Sequence, residues 1–198
     1  MTRSPERAPA DARPDVQVAP KVHHRPELLL KAQGVAIAFF EVDGVLTDGG
    51  LHLSPKGENL NRIYAQDAYG LELLQTAGIA PAILTRCDSR PLRLRLKALG
   101  IRHAHFAVQD KCVAAQTVLD GLGLQWEQAA AMGDDWPDLP LMRRCAFAAA
   151  PSGAHREVRA VADYVSARRG GDGAVRDLCD VLLVASGKYA GLLEDGGS

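Results

Sequence analysis

Residues 39–50 read FFEVDGVLTDGG, a stretch that joins an apolar strand to two carboxylates and a glycine turn. The apolar run from Ala36 ends abruptly in Glu41 and Asp43, and Gly44 follows. Side chains two residues apart on an extended chain point the same way, and sites in open α/β sheets form at the carboxyl ends of the strands. Such a pair can hold a hard cation, attack an electrophile or move a proton. The alternative, from this segment alone, is a strand that ends in a polar turn facing solvent.

The composition of the chain limits the classes of protein to which it can belong. Its 198 residues, 47% of them hydrophobic, suit one globular domain with a real core and tails. A net charge of -1 provides no basic field for nucleic acid, and no apolar run approaches the ~20 residues of a membrane helix. The four widely spaced cysteines form no CxxC and are typical of reduced thiols. We therefore expect a cytoplasmic protein that binds neither nucleic acid nor membrane.

The pattern along the chain predicts one folded domain between two tails. Residues 1–22 are rich in Pro, Ala, Arg and Asp and lack an apolar h-region, which predicts a disordered extension rather than a secretory signal. Residues 23–188 carry the periodic segments of the folded domain. Residues 189–198 show no packing pattern and are predicted to form a flexible tail.

Within the folded domain, short apolar strands alternate with segments of helical periodicity. The predicted strands lie at 35–42, 81–85, 101–108, 128–135, 145–151 and 162–167. Between the first strand and the next helix, residues 46–65 contain GG and PKG turn signals, which predict a short β-hairpin. The alternation predicts a three-layer α/β sandwich around a mainly parallel, Rossmann-like sheet, with this hairpin as an insertion and no large cap domain.

Polar side chains follow four of the predicted strands at the points where the strands end. Glu41 and Asp43, Thr85, Lys111, and the Asp134/Asp135 pair all occupy such positions. Because the carboxyl ends of parallel strands meet at one edge of a sheet, we expect these groups to lie together. Phosphoryl transfer needs an attacking oxygen, a proton donor and cations around the phosphoryl group, and this set supplies them together with Mg²⁺.

This constellation resembles the motifs of the haloacid-dehalogenase-like phosphatases, which are DxDG, a Ser or Thr at a strand end, a Lys, and GDDxxD. The matches are EVDG at 41–44, Thr85, Lys111 and GDDWPD at 133–138. The order of DGVLTDG, AYGLELL, GIAPAILT, LGI, QDK, GDDWPDLPLM, ADYV, GGDGAVRDLCD and SGK is similar to the family of phosphatases that act on 3-deoxy-D-manno-octulosonate 8-phosphate. That family serves the lipopolysaccharide precursor pathway, and the resemblance covers about residues 25–188.

The resemblance implies a Mg²⁺-dependent phosphomonoesterase that hydrolyses a sugar-acid phosphate and assembles as a homotetramer. It implies Asp43 as general acid and base, Lys111 as the balancing cation and Thr85 as a hydrogen-bond donor to the phosphoryl oxygens. The implied catalytic residues are Glu41, Asp43, Thr85 and Lys111. The implied metal-binding residues are Glu41, Asp43, Asp134, Asp135 and Asp138. The implied substrate-binding residues are Gly44, Thr85, Arg86 and Asp67.

Glu41 is the main departure from the family, because the nucleophile there is the first Asp of DxDG. Glutamate carries the same carboxylate on an arm one methylene longer, and a misplacement of about 1 Å can cost ~10²-fold in rate. Two interpretations follow: Glu41 still attacks, slowly, or the phosphatase chemistry is lost while metal binding survives. In the second case the protein would be a non-catalytic metal- or phosphate-binding or assembly subunit.

Further departures surround the same site. The motif-two Thr is followed by Arg86 and Cys87 rather than by Gly and then Arg or Lys, and the family's RDG segment reads QDA from Gln66. Asn61 replaces a lysine of the hairpin. These changes favour an altered substrate or lost catalysis. A signalling receiver domain is a third hypothesis, but its phosphoacceptor would stand where this chain has Thr85, and GDDWPD would have no role.

Overall fold

The computed structural model describes residues 20–53 and 59–196. Most of the predicted N-terminal extension, residues 1–19, and the predicted PKG turn of the hairpin lie outside the described residues. The helices are α1 Pro26–Ala32, α2 Ala65–Thr76, α3 Arg90–Ala98, α4 Lys111–Leu122, α5 Leu139–Arg144, α6 Arg156–Val161, α7 Ala174–Ala185 and α8 Tyr189–Glu194. The strands are β1 Ile37–Phe40, β2 His52–Leu53, β3 Asn59–Leu60, β4 Ala80–Leu84, β5 His103–His105, β6 Ala129–Met132, β7 Phe147–Ala150 and β8 Tyr164–Val165.

One six-stranded sheet forms the middle layer, in the order β5-β4-β1-β6-β7-β8, and every neighbouring pair is parallel. The central strand β1 aligns Ile37 with Ala80 on one side and with Ala129 on the other. All four β1 residues are buried, as expected for a parallel strand covered on both faces. The predicted three-layer α/β sandwich is confirmed, and β2 and β3 form the separate antiparallel hairpin between β1 and α2.

The two faces of the sheet pack against different helices. Ala38 and Phe40 belong to one core cluster, together with residues of α1, α2, α3 and α7. Ile37 and Phe39 belong to the other, together with residues of α4, α5 and α6. Because successive strand residues face opposite sides, the next position in the second series, Glu41, points towards the α4 layer. This alternation positions the functional site.

The C-terminal end of the structure differs from the sequence expectation. Residues 189–194, predicted to be part of a flexible tail, form α8, and its Tyr189 and Leu192 pack against the first core cluster. A left-handed Gly187 (φ 71°) separates α8 from α7. The prediction was wrong there because the segment is stabilised by distant apolar partners. Among the described residues, no helix combines the length and apolar character needed to cross a membrane.

Asp67 has a structural position rather than the predicted contact with substrate. Its carboxylate is fully buried in the first turn of α2 and accepts hydrogen bonds from the backbone amides of Gly173 (3.1 Å) and Arg176 (2.8 Å). Burial raises the pKa of Asp67, while the two amide bonds oppose that rise. Both oxygens are therefore used to hold the start of α7 against α2, which corrects the assignment of Asp67 as a substrate-binding residue.

Replacing Asp67 by alanine should destabilise the fold by about 2–3 kcal/mol, because two amides at the start of α7 lose their acceptor. Urea unfolding measures this change. Asp120→Ala is the matched control, since Asp120 is exposed on α4, and it should shift the free energy of unfolding by no more than about 0.5 kcal/mol. Equal effects of the two substitutions would contradict the capping role.

Candidate active site

The turn after β1 presents the first carboxylates of the site. The Glu41 amide donates to the Met132 carbonyl (3.2 Å), so the chain is still aligned with β6 at this point. Gly44 has a φ of 80°, which reverses the chain in a conformation that favours glycine. The Thr47 amide then donates to the Val42 carbonyl (2.9 Å) and closes the turn. Glu41 and the residues after it are thus held at the carboxyl end of the central strand.

Lys111, the first residue of α4, lies between two buried carboxylates. Its ammonium donates to Glu41 Oε2 and to Asp138 Oδ1. All three side chains are at least nine-tenths buried. Burial alone would lower the pKa of Lys111, but the Asp138 and Glu41 carboxylates outweigh it and raise that pKa. The ammonium therefore stays charged and links β1 to the loop that follows β6.

The GDDWPD loop closes on Asp138. Asp138 Oδ2 accepts hydrogen bonds from the amides of Asp134 (3.0 Å) and Asp135 (3.3 Å). The Asp135 carboxylate accepts a hydrogen bond from the Trp136 amide (2.8 Å), which stabilises the loop to which Asp135 belongs. A side chain at Gly133 would place its Cβ 2.3 Å from Asp138 Cβ, so this loop requires glycine there.

Asp134 lies against the turn that follows β1. A Cβ on Gly44 would be 2.1 Å from Asp134 Oδ2, so the missing side chain of Gly44 is what admits this carboxylate. Burial, together with the charges of Asp138, Glu41 and Asp135, raises the pKa of Asp134 to about 7. The single ammonium of Lys111 does not neutralise these acids, so the site has an excess of negative charge.

Asp43 and Thr85 complete the group around β1 and β4. Asp43 Oδ1 is buried and has no hydrogen-bond partner within residues 20–53 and 59–196. Burial raises the pKa of Asp43, against the opposing effects of the Thr47 hydroxyl, Lys111 and the Cys87 thiol. Thr85 is buried, and its hydroxyl oxygen accepts from the Cys87 amide (3.0 Å). An orphaned carboxylate oxygen of this kind is suited to an external cation or proton.

The structure brings most of the predicted site residues to one edge of the sheet. They are Glu41, Asp43, Gly44, Thr85, Lys111, Asp134 and Asp138. Asp135 is exposed beside them, and Arg86 is exposed directly after Thr85. Asp67 is the exception, because it is enclosed between α2 and α7.

Three residues without a predicted role help to hold the turn that follows β1. They are Gly170, Gly171 and Arg62. A Cβ on Gly170 would lie 1.9 Å from the Gly44 carbonyl oxygen, and the Gly171 amide donates to the Val45 carbonyl (2.9 Å). Arg62 donates to the Gly171 carbonyl (2.9 Å) and joins the exit of the hairpin to this loop. The GG doublet in GGDG was the available signal, since adjacent glycines often mark a close approach of backbone.

The residues of the site suit Mg²⁺, because they supply carboxylate oxygens as ligands and an excess of negative charge. Within the described ranges, no three His, Cys, Asp or Glu side chains already surround one metal position. Lys111 holds Glu41 and Asp138, whereas Asp43 Oδ1 and the Asp134 carboxylate have no hydrogen-bond partner in the same ranges. Asp43 and Asp134 are therefore the residues best placed to receive a cation.

Comparison with protein families matches residues 107–178 to the haloacid dehalogenase-like hydrolases. A 3-deoxy-D-manno-octulosonate 8-phosphate phosphatase of Salmonella typhimurium is 36% identical over 163 residues, which cover 82% of this chain and 87% of that protein. The chain belongs to the haloacid dehalogenase-like phosphatases. Within them it falls in the 3-deoxy-D-manno-octulosonate 8-phosphate phosphatase family, and the family-matched segment contains Lys111 and Asp134 but not Glu41.

Solved structures of the family support the same assignment. The Yersinia pestis 3-deoxy-D-manno-octulosonate 8-phosphate phosphatase has a TM-score of 0.82 and 36% identity, covering 84% of this chain and 90% of its own. The Moraxella catarrhalis phosphatase, solved in complex with magnesium ion, phosphate ion and KDO, has a TM-score of 0.84 and 33% identity, covering 87% of this chain and 99% of its own.

The raised pKa of Asp134 predicts a pH dependence of stability in the metal-free protein. A folded pKa of about 7 against an unfolded value of 3.8 means that the folded state binds more protons between those values. Stability should therefore be fully present below about pH 4 and fall as the pH rises through about 7. The melting temperature in EDTA, measured from pH 5 to pH 8, should fall in the natural protein relative to Asp134→Asn. Parallel curves for the two proteins would contradict the assignment.

Proposed function

We propose that the protein is a Mg²⁺-dependent phosphomonoesterase that hydrolyses a sugar-acid phosphate, with 3-deoxy-D-manno-octulosonate 8-phosphate as the first candidate. The assignment of substrate and metal rests on family membership and on the magnesium, phosphate and KDO bound by the Moraxella catarrhalis relative. The observation that carries it is the convergence of Glu41, Asp43 and Lys111 at the end of β1. A cytoplasmic location and a homotetrameric assembly stay predictions from sequence and resemblance.

In this proposal, one carboxylate is the nucleophile and a second one transfers protons. Glu41 attacks phosphorus, and Asp43 gives a proton to the sugar alkoxide that leaves. Burial raises the pKa of Asp43, which favours the protonated form needed for that step. Asp43 then removes a proton from water, the water displaces Glu41 from phosphorus, and inorganic phosphate is released. The acid and the base are thus the same residue at two stages.

The remaining residues bind and neutralise the phosphoryl group. The Thr85 hydroxyl and the backbone amides near Gly44 are donors for the phosphoryl oxygens. Lys111 offsets the charge of the carboxylates around it. Mg²⁺, held by the backbone carbonyl of Asp43 and the carboxylate of Asp134 with Asp135 and Asp138 beside them, would supply further positive charge to the transferring group and would leave the Asp43 carboxyl free for proton transfer.

The geometry of Glu41 limits the expected rate. Glu41 Oε1 accepts from the amide of the next residue, Val42 (2.7 Å), Oε2 accepts from Lys111, and the residue is only 9% exposed. Each oxygen of the Glu41 carboxylate therefore already accepts a hydrogen bond in this structure. This arrangement is the observation that favours the alternative function, a catalytically silent relative that binds metal or phosphate or acts as an assembly subunit.

Glu41→Asp should raise the rate of phosphate release from 3-deoxy-D-manno-octulosonate 8-phosphate in the presence of Mg²⁺ by about 100-fold, because the shorter arm restores the position of the attacking oxygen. Asp43→Asn, made in both backgrounds, is the control and should abolish release.

Three results are distinguishable in that assay. Release by the natural chain at ~1 s⁻¹ or more would show that Glu41 is a competent nucleophile and that the expected limit on its rate is wrong. Release by Glu41→Asp alone would identify the natural chain as a silenced relative with an intact pocket. Release by neither would contradict this substrate.

A further inference from the structure

Positive charge is concentrated in one stretch of the chain, residues 89–109. This stretch contains five of the 23 Lys and Arg residues and none of the 24 Asp and Glu residues. The rest of the chain therefore combines 18 Lys and Arg residues with all 24 acids and is negatively charged. Because the stretch forms α3 and the adjoining strand β5, the positive charge lies at one side of the sheet.

An open groove of about 430 Å³ runs between α3 and β5. This volume is within the ~300–1,000 Å³ of many ligand sites. The apolar lining includes Leu96, Ile101 and Phe106. The charged lining consists of Arg93, Lys97 and Arg102. The groove thus has an apolar floor with cations around it.

The three cations of the groove differ in the partners that they already have. The Arg93 guanidinium donates two hydrogen bonds to the Asp88 carboxylate (2.6 and 2.8 Å) and lies 4.0 Å from the centre of the Phe106 ring. Lys97 and Arg102 are exposed, and among residues 20–53 and 59–196 no carboxylate lies within ion-pair distance of either. Lys97 and Arg102 can therefore pair with carboxylates of another molecule.

The strand beside the groove has an open edge. In the described part of the chain, β5 has a strand, β4, on one side only. The Thr85 amide donates to the His105 carbonyl (3.1 Å), so the backbone of His105 faces β4. Backbone groups of successive strand residues point to opposite edges, so the N–H and C=O of Ala104 point to the open edge. An extended segment can pair with such an edge by β-augmentation.

The side chains that accompany this edge select the charge of the segment. Arg102 and Ala104 are two residues apart, so their side chains point to the same face, and Ala104 packs against the core cluster that includes α3. Every second side chain of a paired segment would therefore lie on the face where Lys97 and Arg102 are found. Acidic side chains at those positions gain charge-assisted contacts, whereas basic ones are repelled.

Two other occupants fit the groove less well. A second copy that paired its β5 with this one would bring two basic stretches together, and like charges on an edge oppose such pairing. A nucleic acid strand would meet repulsion from the acidic remainder of the chain. Its bases would also lack a stacking partner, because Arg93 already covers the Phe106 ring.

We propose that the groove between α3 and β5 is a docking site for an extended acidic segment of a partner protein. The segment pairs through its backbone with Ala104, and its carboxylates contact Lys97 and Arg102. The methylene groups of its acidic side chains pack on Ile101 and Phe106. None of these residues belongs to the candidate active site, so the inference goes beyond the proposed function and does not depend on it.

The test measures the fluorescence anisotropy of a labelled peptide of about eight residues, in which glutamate and valine alternate, on titration with the full chain. The double variant Lys97→Gln/Arg102→Gln should raise the Kd by about 5–30-fold, because two ion pairs are lost. Arg143→Gln/Arg159→Gln is the matched control. It removes the same charge from exposed positions outside the groove and should change the Kd by no more than about twofold.

Hydrogen exchange measured by mass spectrometry tests the backbone contact without a substitution. Exchange in residues 101–107 should slow when the peptide is bound, because the Ala104 amide gains an acceptor. Both double variants should keep their melting temperatures within about 2 °C of the natural protein, since all four substituted residues are exposed.

Four results would overturn the proposal. They are failure of the natural chain to bind the peptide at up to about 1 mM, equal losses in the two double variants, unchanged exchange in residues 101–107, and equal binding of a peptide with lysine in place of glutamate. Displacement of the peptide by a thymidine oligonucleotide that binds more tightly would also overturn it, in favour of a nucleic acid.

Discussion

The contact of Lys111 with Glu41 and Asp138 joins the three parts of the chain on which the site depends. It connects the end of β1, the start of α4 and the loop after β6, all in a region closed to solvent. Two carboxylates buried without a cation would each carry a heavy desolvation cost. With Lys111 in place, Asp138 can also hold the Asp134 and Asp135 amides, and the GDDWPD loop acquires one fixed form.

The same contact explains why Asp134 and Asp43, rather than Glu41, have carboxylate oxygens available to bind a cation or a proton. Lys111 satisfies the two acids that it touches. Burial raises the pKa of Asp43 and of Asp134, and neighbouring charge raises that of Asp134 further. The ionised form of Asp134 is therefore the one that a divalent cation would stabilise, whereas the raised pKa of Asp43 suits its role as proton donor. Lys111 and the Val42 amide hold both oxygens of Glu41, and this arrangement is the reason for the expected loss of rate.

The parts of this arrangement that depend on local pattern could be predicted from sequence. The buried run of β1, the two carboxylates after it and the alternation of strands with helices were sufficient for the sheet and for the edge where Glu41, Thr85 and Lys111 meet. Strand alternation also dictates that Glu41 follows Phe39 towards the α4 layer.

Contacts between distant segments could not be predicted in this way. Asp67 is 106 residues from the Gly173 amide that it caps, so its spacing in sequence carries no sign of that role. Arg62 meets Gly171 across a similar interval, and α8 is a helix because Tyr189 and Leu192 find apolar partners on the folded core. Tertiary packing decides such elements.

The most direct test of this account is a double-mutant cycle between Lys111 and Glu41, measured by urea unfolding in EDTA. Lys111→Met should reduce the free energy of unfolding by about 3–5 kcal/mol in the natural chain, because Glu41 and Asp138 are left buried without a cation. In the Glu41→Gln background the same substitution should cost at least about 1 kcal/mol less. A cost below about 1 kcal/mol in the natural chain, or the same cost in both backgrounds, would contradict the central place given to this contact.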